Sequence, residues 1–404
     1  MLSTEENKTL TNVGAGTPAG EWLRRFWHPI AISDQWMGVK THWNYESPIT
    51  IDGEVGTVGN WADRLANFKG EPTPVKIMGE DLVLFRDGMG TPGLIGKFCP
   101  HRGASMEFGR IIKNGIACCY HGWAFDVSGN CLEMPAEPEA KSFKDKVKHK
   151  AYPVEEMGGL LWTYMGPGDP PLLPRFDVFA REDGVRAVEN FGLWPANYFQ
   201  VCENTVDQAH TNILHGGTGG ERSDIWGSEL PQTKWELMEY GIKCTANRIA
   251  MNYNRATSYI LPTMARLPQP WPGGKFKWPR ISANWRTPVD DNHTLVLSVC
   301  FTPEVDGQLP ELPEGMTFHV GDTLLVHREQ DYQAIVSQGK IFNRNIERLG
   351  TSDEGVILLR KTIMDGIKAV QNGEDPLGVR RKGDPKEIID LSKVAYDGLN
   401  EATG

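Results

Sequence analysis

The chain has 404 residues, with 42 Lys and Arg against 52 Asp and Glu and a net charge of −10. That length allows two or three domains with sizeable cores, and that charge speaks against nucleic acid or an anionic bilayer as partner. No stretch approaches the roughly 18 uninterrupted apolar residues of a membrane helix, and the opening Met1-Leu-Ser-Thr-Glu-Glu-Asn-Lys8 lacks the basic-then-apolar order of a secretory leader. Seven cysteines, few and odd in number, suit a reducing, cytoplasmic setting.

From about Ile30 to Met165 the pattern is short β-rich runs broken by glycine. Val75–Arg86 reads as a hairpin turning at Gly79-Glu80-Asp81, and Gly158–Met165 as a closing strand. Inside this stretch stand Cys99-Pro-His101-Arg-Gly-Ala and Cys118-Cys-Tyr-His121-Gly-Trp, two loops that each offer one thiolate and one imidazole. A Cys2His2 zinc site uses the same ligands, but zinc fingers pair Cys with Cys and His with His in sequence. Mixed loops suit a two-iron centre with one iron on two cysteines and the other on two histidines, the Rieske arrangement. Respiratory-type Rieske proteins carry an extra cysteine in each loop, at positions matching Ala104 and Tyr120, and both are absent here. Cys119 then reads as a packed free thiol, and Tyr120, Gly122 and Trp123 as a shield that leaves a histidine edge open. Cys202, Cys244 and Cys300 read as small buried hydrophobes.

The proline- and glycine-rich segment Gly166–Pro174 marks a domain junction, giving domains 1–168 and 169–404. Beyond it, Trp194–His215 reads as a helix started at Pro195 and stopped by Gly216-Gly217. His210 and His215 are five apart, about 140° around an ideal helix, so a shared metal requires the last turn to unwind. Asp207 and His210, three apart, share a face, so the carboxylate can orient the imidazole. Asn204 sits one turn earlier and reads either as a hydrogen-bonding group beside such a metal or as an ordinary solvated helix asparagine. Residues 230 to 305 return to strand alternation and the tail from Thr323 is helical, so the second half is α+β.

With these motifs the chain resembles the terminal oxygenase subunit of a Rieske non-haem iron oxygenase, most of all the homo-oligomeric branch that includes phthalate dioxygenase and vanillate demethylase. Gly16-Thr-Pro-Ala-Gly-Glu-Trp-Leu-Arg-Arg-Phe-Trp-His-Pro29 and Glu347-Arg-Leu-Gly-Thr-Ser-Asp353 resemble that branch too. The resemblance implies an all-β Rieske domain with a helical lead-in, followed by a helix-grip-like α+β catalytic domain with an antiparallel sheet. It implies a [2Fe-2S] cluster on Cys99, His101, Cys118 and His121. It also implies a mononuclear Fe(II) on His210, His215 and an acid of a C-terminal helix, for which Asp331 is the choice, Glu329 and Asp322 the fallbacks; Val336 stands where relatives often have an acid. O2 is the co-substrate, and electrons come from NAD(P)H through a separate reductase, with or without a ferredoxin, since no G-x-G-x-x-G follows a strand. The partners implied are a small aromatic substrate and a homotrimer, single or stacked to a hexamer, in which Asp207 bridges His210 to His121 of the neighbouring subunit. The expected outcome is ring hydroxylation or oxidative O- or N-dealkylation. Arg255 resembles a carboxylate-binding arginine, with a surface role as its alternative. Val206, Ile213, Leu214, Tyr253 and Ile260 are expected as pocket wall or ordinary core. A Rieske electron carrier with a non-catalytic second domain, and a zinc-stabilised binding module, are the competing readings.

Overall fold

The computed structural model describes residues 1–35, 39–42, 50–51, 54–55, 68–137, 143–216, 229–250, 252–269, 280–308 and 327–391. Helix α1 (Thr4–Thr11) opens on a capping box, in which the Ser3 hydroxyl accepts from the Glu6 N–H and the Glu6 carboxylate accepts from the Ser3 N–H. Helix α2 (Pro18–Leu23) follows, with Pro18 in its first turn.

The strands of the first half are β1 (Trp27–Ile32), β2 (Val39–His42), β3 (Thr50–Ile51), β4 (Glu54–Val55), β5 (Thr73–Ile77), β6 (Glu80–Arg86), β7 (Pro92–Gly96), β8 (Arg110–Ile112), β9 (Gly115–Ala117), β10 (Ala124–Phe125), β11 (Cys131–Glu133), β12 (Ala151–Tyr152), β13 (Val154–Met157) and β14 (Leu160–Tyr164). They build antiparallel sheets in the orders β1-β14-β13, β11-β10-β9-β8 and β12-β7-β6-β5, with β3 and β4 paired as a ribbon. The expected hairpin is present, but its turn is Met78-Gly79, both at positive φ (46° and 79°). Two left-handed residues make the tight primed turn whose twist matches the strands. Gly166–Pro174 runs without helix or strand.

The second half opens with α3 (Asp177–Ala180) and the long strand β15 (Gly184–Trp194), then α4 (Tyr198–Glu203) and α5 (Ala209–Ile213). Next come β16 (Gln232–Met238), β17 (Gly241–Arg248), β18 (Tyr253–Ile260), β19 (Met264–Gln269), β20 (Arg280–Asp290) and β21 (His293–Pro303), and finally α6 (His327–Val336) and α7 (Glu354–Gln371). One eight-stranded sheet, ordered β16-β17-β18-β19-β20-β21-β15-β2, carries this half. All its pairings are antiparallel except β15 with β2, which is parallel. The architecture is thus α+β, a set of small β-sheets followed by a large, mainly antiparallel sheet with helices.

Alternation sends side chains of neighbouring positions to opposite faces of the large sheet. Ile281, Ala283, Trp285, Leu295, Leu297, Val299 and Phe301 belong to the main core, with Trp162 and Phe179 edge-on to Trp285 or close by it. On the other face Val296 joins a smaller core with Phe191, Trp194, Val201, Tyr332, Ile335 and Val336. That smaller core holds α4 and α6 against the sheet.

Candidate active site

Two loops of the first half share one backbone geometry. The Cys99 carbonyl accepts from the Gly103 N–H at 2.9 Å and the Cys99 N–H donates to the Ala104 carbonyl at 2.9 Å. In the second loop, Cys118 makes the same pair of bonds with Gly122 (3.0 Å) and Trp123 (2.8 Å). Gly103 and Gly122 both have φ of 73°, a left-handed turn that glycine enters without a Cβ penalty. Each loop therefore folds its cysteine inward, buried at 3% and 2% exposure, and lifts its histidine toward the surface.

The thiols end up together and so do the imidazoles. Burial pushes the Cys99 thiol up to about 11, opposed by the His101 N–H and reinforced by the neighbouring Cys118 sulfur. The His101 and His121 rings lie 4.6 Å apart, with Trp123 stacked on His101 at 4.3 Å and Tyr120 against His121 at 3.9 Å. Trp123 is buried and its indole N–H has no hydrogen-bond partner among the described residues, whereas Tyr120 is exposed. Tyr120 and Trp123 thus flank the pair as expected. Cys119 does not pack: it is exposed beside Tyr120, because the turn that buries Cys118 directs the next side chain outward. Cys202, Cys244 and Cys300 are buried thiols.

The predicted helix over 194–215 is three pieces. Asn197, not Pro195, starts α4, its side chain accepting from the Phe199 N–H at 3.0 Å and donating to the carbonyls of Thr11 and Asp291. A 3₁₀ turn over Asn204–Val206 follows, and Asp207 is extended (φ −102°, ψ 118°). The Asp207 carboxylate then accepts from the N–H groups of Ala209 (2.8 Å) and His210 (3.3 Å), starting α5. That helix stops at Ile213, so His215 lies beyond its end and the two imidazoles converge, ring centroids 5.2 Å apart.

Asp331 of α6 completes the cluster. Its Oδ1 lies 3.3 Å from His215 Nε2 and 3.5 Å from His210 Nε2, and accepts from the Asn204 amide at 3.2 Å. Among the described residues, these three form the only group of His, Cys, Asp and Glu donors within 4.8 Å of one another. The four loop donors therefore do not converge on a single ion, as a mononuclear zinc site requires. Two imidazoles and one carboxylate on one side are the donor set of a non-haem Fe(II) facial triad. Burial pushes the Asp331 carboxyl up, but His215, His210 and Asn204 outweigh it and hold it below the ordinary carboxylate range. Burial likewise depresses the His210 imidazole, and Asp207 and Asp331 outweigh it and raise it. Asp207 Oδ2 stands 3.6 Å from His210 Nδ1, on the side away from Asp331. Of the fallback acids, Asp322 lies outside the described residues and Glu329 is described only as backbone of α6.

Residues 61–144 match the Rieske [2Fe-2S] domain family. The chain is 34% identical, over 99% of its length and 89% of the relative's, to the 5,5'-dehydrodivanillate O-demethylase oxygenase subunit of a Sphingobium species. It belongs to the Rieske non-haem iron oxygenases. The phthalate 4,5-dioxygenase oxygenase subunit of Pseudomonas putida is 29% identical over 99% of this chain and 94% of that one. The solved structure of NdmA from Pseudomonas putida CBB5 shares the fold, with a TM-score of 0.63 at 20% identity over 88% of this chain and 94% of that one. The protein is therefore the oxygenase component of a multicomponent system, an enzyme rather than an electron carrier with an idle second domain. As a Rieske oxygenase it uses a [2Fe-2S] cluster, a mononuclear iron and O2, with electrons from a separate reductase.

In the oxygenase, Arg255 is not a surface residue. It is 8% exposed on β18, on the sheet face that carries Thr257, whose hydroxyl accepts from the Gln208 amide at 3.2 Å. Of the proposed wall residues, Val206 and Tyr253 are buried, Leu214 is half-buried and Ile213 is 73% exposed. Ile260 pairs with Met264, which pairs with Trp285, so it lies on the opposite face, in the main core. Val336 is fully buried in the smaller core, which leaves no room for an acid.

Sequence reasoning missed the supports. Gln330 Oε1 stands 2.7 Å from His215 Nδ1. Buried Gln200 donates to the Gly339 carbonyl at 2.9 Å and accepts from the Phe342 N–H at 2.7 Å, tying α4 to the end of α6. Glu203 receives Arg344 and Arg360, and Arg360 also binds Glu347. Gln330, as the neighbour of Asp331, was the one with a signal in the sequence.

Proposed function

We propose that this oxygenase hydroxylates a small aromatic compound, with ring hydroxylation or oxidative O- or N-dealkylation as the outcome. The observation that carries the reading is the triad His210, His215 and Asp331, two imidazoles and a carboxylate whose donor atoms lie within 4.8 Å of one another. Bound at these residues, an iron supplies O2 binding, and the cluster held by Cys99, His101, Cys118 and His121 supplies electrons one at a time. The named substrates of the two curated relatives, dehydrodivanillate and phthalate, support the aromatic class.

The chain's own residues have assigned parts. His210, His215 and Asp331 hold the metal, and Asn204 fixes the Asp331 carboxylate. Asp207 orients His210 and, in a homotrimer, accepts from His121 of the partner subunit, so that one protomer's cluster serves the next protomer's iron; head-to-tail contacts of this kind close as a ring. The same trimer stacks where the assembly is a hexamer. Arg255 receives a carboxylate of the substrate as a bidentate donor. The chain divides functionally at 168/169, with α1, α2 and β2 crossing to brace the catalytic half. Seven free thiols support a cytoplasmic setting.

Purified oxygenase with a surrogate reductase, screened by mass spectrometry against aromatic acids, aryl ethers and anilides, tests the reading. An O2-dependent product from one of these classes is expected. Turnover of aliphatic compounds alone, or none, overturns it. Unchanged affinity for aromatic acids in Arg255→Met removes the arginine from substrate binding.

A further inference from the structure

The 3₁₀ turn Asn204–Val206 carries the Asn204 amide to Asp331 and leads into Asp207, so its placement reaches both a metal ligand and the carboxylate beside His210. Helix α7 touches both ends of this turn. At the near end, Arg360 Nε donates to Glu203 Oε1 at 2.8 Å. At the far end, Gly355 leaves room for the Val206 carbonyl oxygen, which a Cβ would meet at 2.2 Å. Gly355 and Arg360 both stand within the first two turns of α7, so one rigid element spans the turn.

Glu203 is the last residue of α4, where the helix dipole disfavours an acid. Its side chain is only 14% exposed, so the carboxylate has lost much of its water. Two guanidiniums offset both effects. Arg344, fully buried and 4.7 Å over the Phe199 ring, donates through Nη2 to Glu203 Oε2 at 2.6 Å and through Nη1 to Asn7 Oδ1 at 3.0 Å. Arg360 turns its outer nitrogens to Glu347, with Nη2 2.9 Å from Oε2. These charges join α1, α4, the segment after α6 and α7. Buried ion pairs add little stability over apolar residues of like volume, but the planar guanidinium fork fixes direction. What the network supplies is therefore geometry, at the residue next to Asn204.

We propose that Glu203 and Arg360 are positioning residues of the iron site, through which α7 sets the turn that aims Asn204 at Asp331 and leads to Asp207. The proposal rests on the triad described above and is independent of the substrate. Displacement of α7 then alters iron binding, although the helix contributes no ligand to the triad.

Glu203→Gln, Arg360→Met and the double variant test this in the full-length enzyme. The readouts are Fe(II) affinity by competition with a chelator, and the EPR signal of the ferrous site with nitric oxide added as probe. Each single change is expected to lower Fe(II) affinity by about tenfold and to alter the rhombicity of the nitric oxide signal, with cluster absorbance unchanged. The double variant is expected to match the weaker single one, because both changes break the same tie. Glu347→Gln, a milder change that frees Arg360 to swing from Glu203, shifts affinity the same way by less than tenfold and serves where the others do not fold. Val299→Ala, a truncation in the fully buried main core, lowers the thermal midpoint and leaves both iron readouts in place. Unchanged affinity and an unchanged nitric oxide signal in the folded variants overturn the proposal, as do additive effects in the double variant or an equal shift of the signal in Val299→Ala. An unaltered enzyme that takes up no mononuclear iron overturns the triad and the proposal with it.

Discussion

His215 Nδ1 stands 2.7 Å from Gln330 Oε1, and the next residue of the same helix, Asp331, places its Oδ1 3.3 Å from the other ring nitrogen. An amide oxygen can only accept, so the Nδ1–H donates and Nε2 keeps its lone pair on the side of Asp331. One turn of α6 thus sets both the tautomer and the orientation of an imidazole that stands just beyond the end of α5.

Gln330→Leu removes this acceptor. The expected result is Fe(II) affinity lower by about 10–100-fold, read by competition with a chelator. Cluster absorbance stays unchanged, and Gln330→Glu, which restores an acceptor, recovers most of the affinity. Equal affinity in the leucine variant removes Gln330 as a positioning residue.

Asp331→Ala and Asp207→Asn separate holding the metal from serving it. The first is expected to lose its mononuclear iron on dialysis while keeping the cluster spectrum. The second is expected to retain both and to slow single-turnover product formation by about 10–100-fold. Normal single-turnover rates in Asp207→Asn count against the bridging role.

Gly355, at the start of α7, meets the 3₁₀ turn that leads to Asp207. A Cβ there would stand 2.2 Å from the Val206 carbonyl oxygen and 2.6 Å from the Trp235 ring. Gly355→Ala forces α7 away from the turn and is expected to cost about 1–3 kcal/mol. Thermal unfolding and Fe(II) affinity should fall together, because the displaced turn carries Asn204; a loss of stability alone separates the two.

Glu80 accepts from Lys150, Tyr152 and Arg24 at the end of the β5–β6 hairpin. Burial raises its carboxyl, but these three partners outweigh it and hold it below the ordinary 4.5. A carboxyl lowered in the folded state stabilises fully above its ordinary value and ceases to do so as pH falls through the lowered one. Unfolding midpoints taken from about pH 7 down to about pH 3 should show an acid-side drop that Glu80→Gln reduces. An identical pH profile in that variant rules the group out as a contributor.

The two mixed cysteine and histidine loops were legible because their geometry is local. Each loop is a closed turn of six residues, from Cys99 to Ala104 and from Cys118 to Trp123, whose hydrogen bonds and left-handed glycine lie inside the motif itself. His210 and His215 were legible for the same reason, as a pair that only a broken helix can bring together. The break falls at Asp207 as well as after Ile213, because the carboxylate starts a fresh helix, and nothing in the helical periodicity announces that.

What the amino-acid order left open depends on register and packing between distant segments. Asp331 was one acid among several until α6 docked on the sheet, and Gln330 had no role apart from that docking. Arg255 read equally well as surface until the β17–β18 pairing buried it. Short-range hydrogen bonding is written into neighbouring residues, whereas the meeting of remote side chains is settled only when sheet and helices close around a common core.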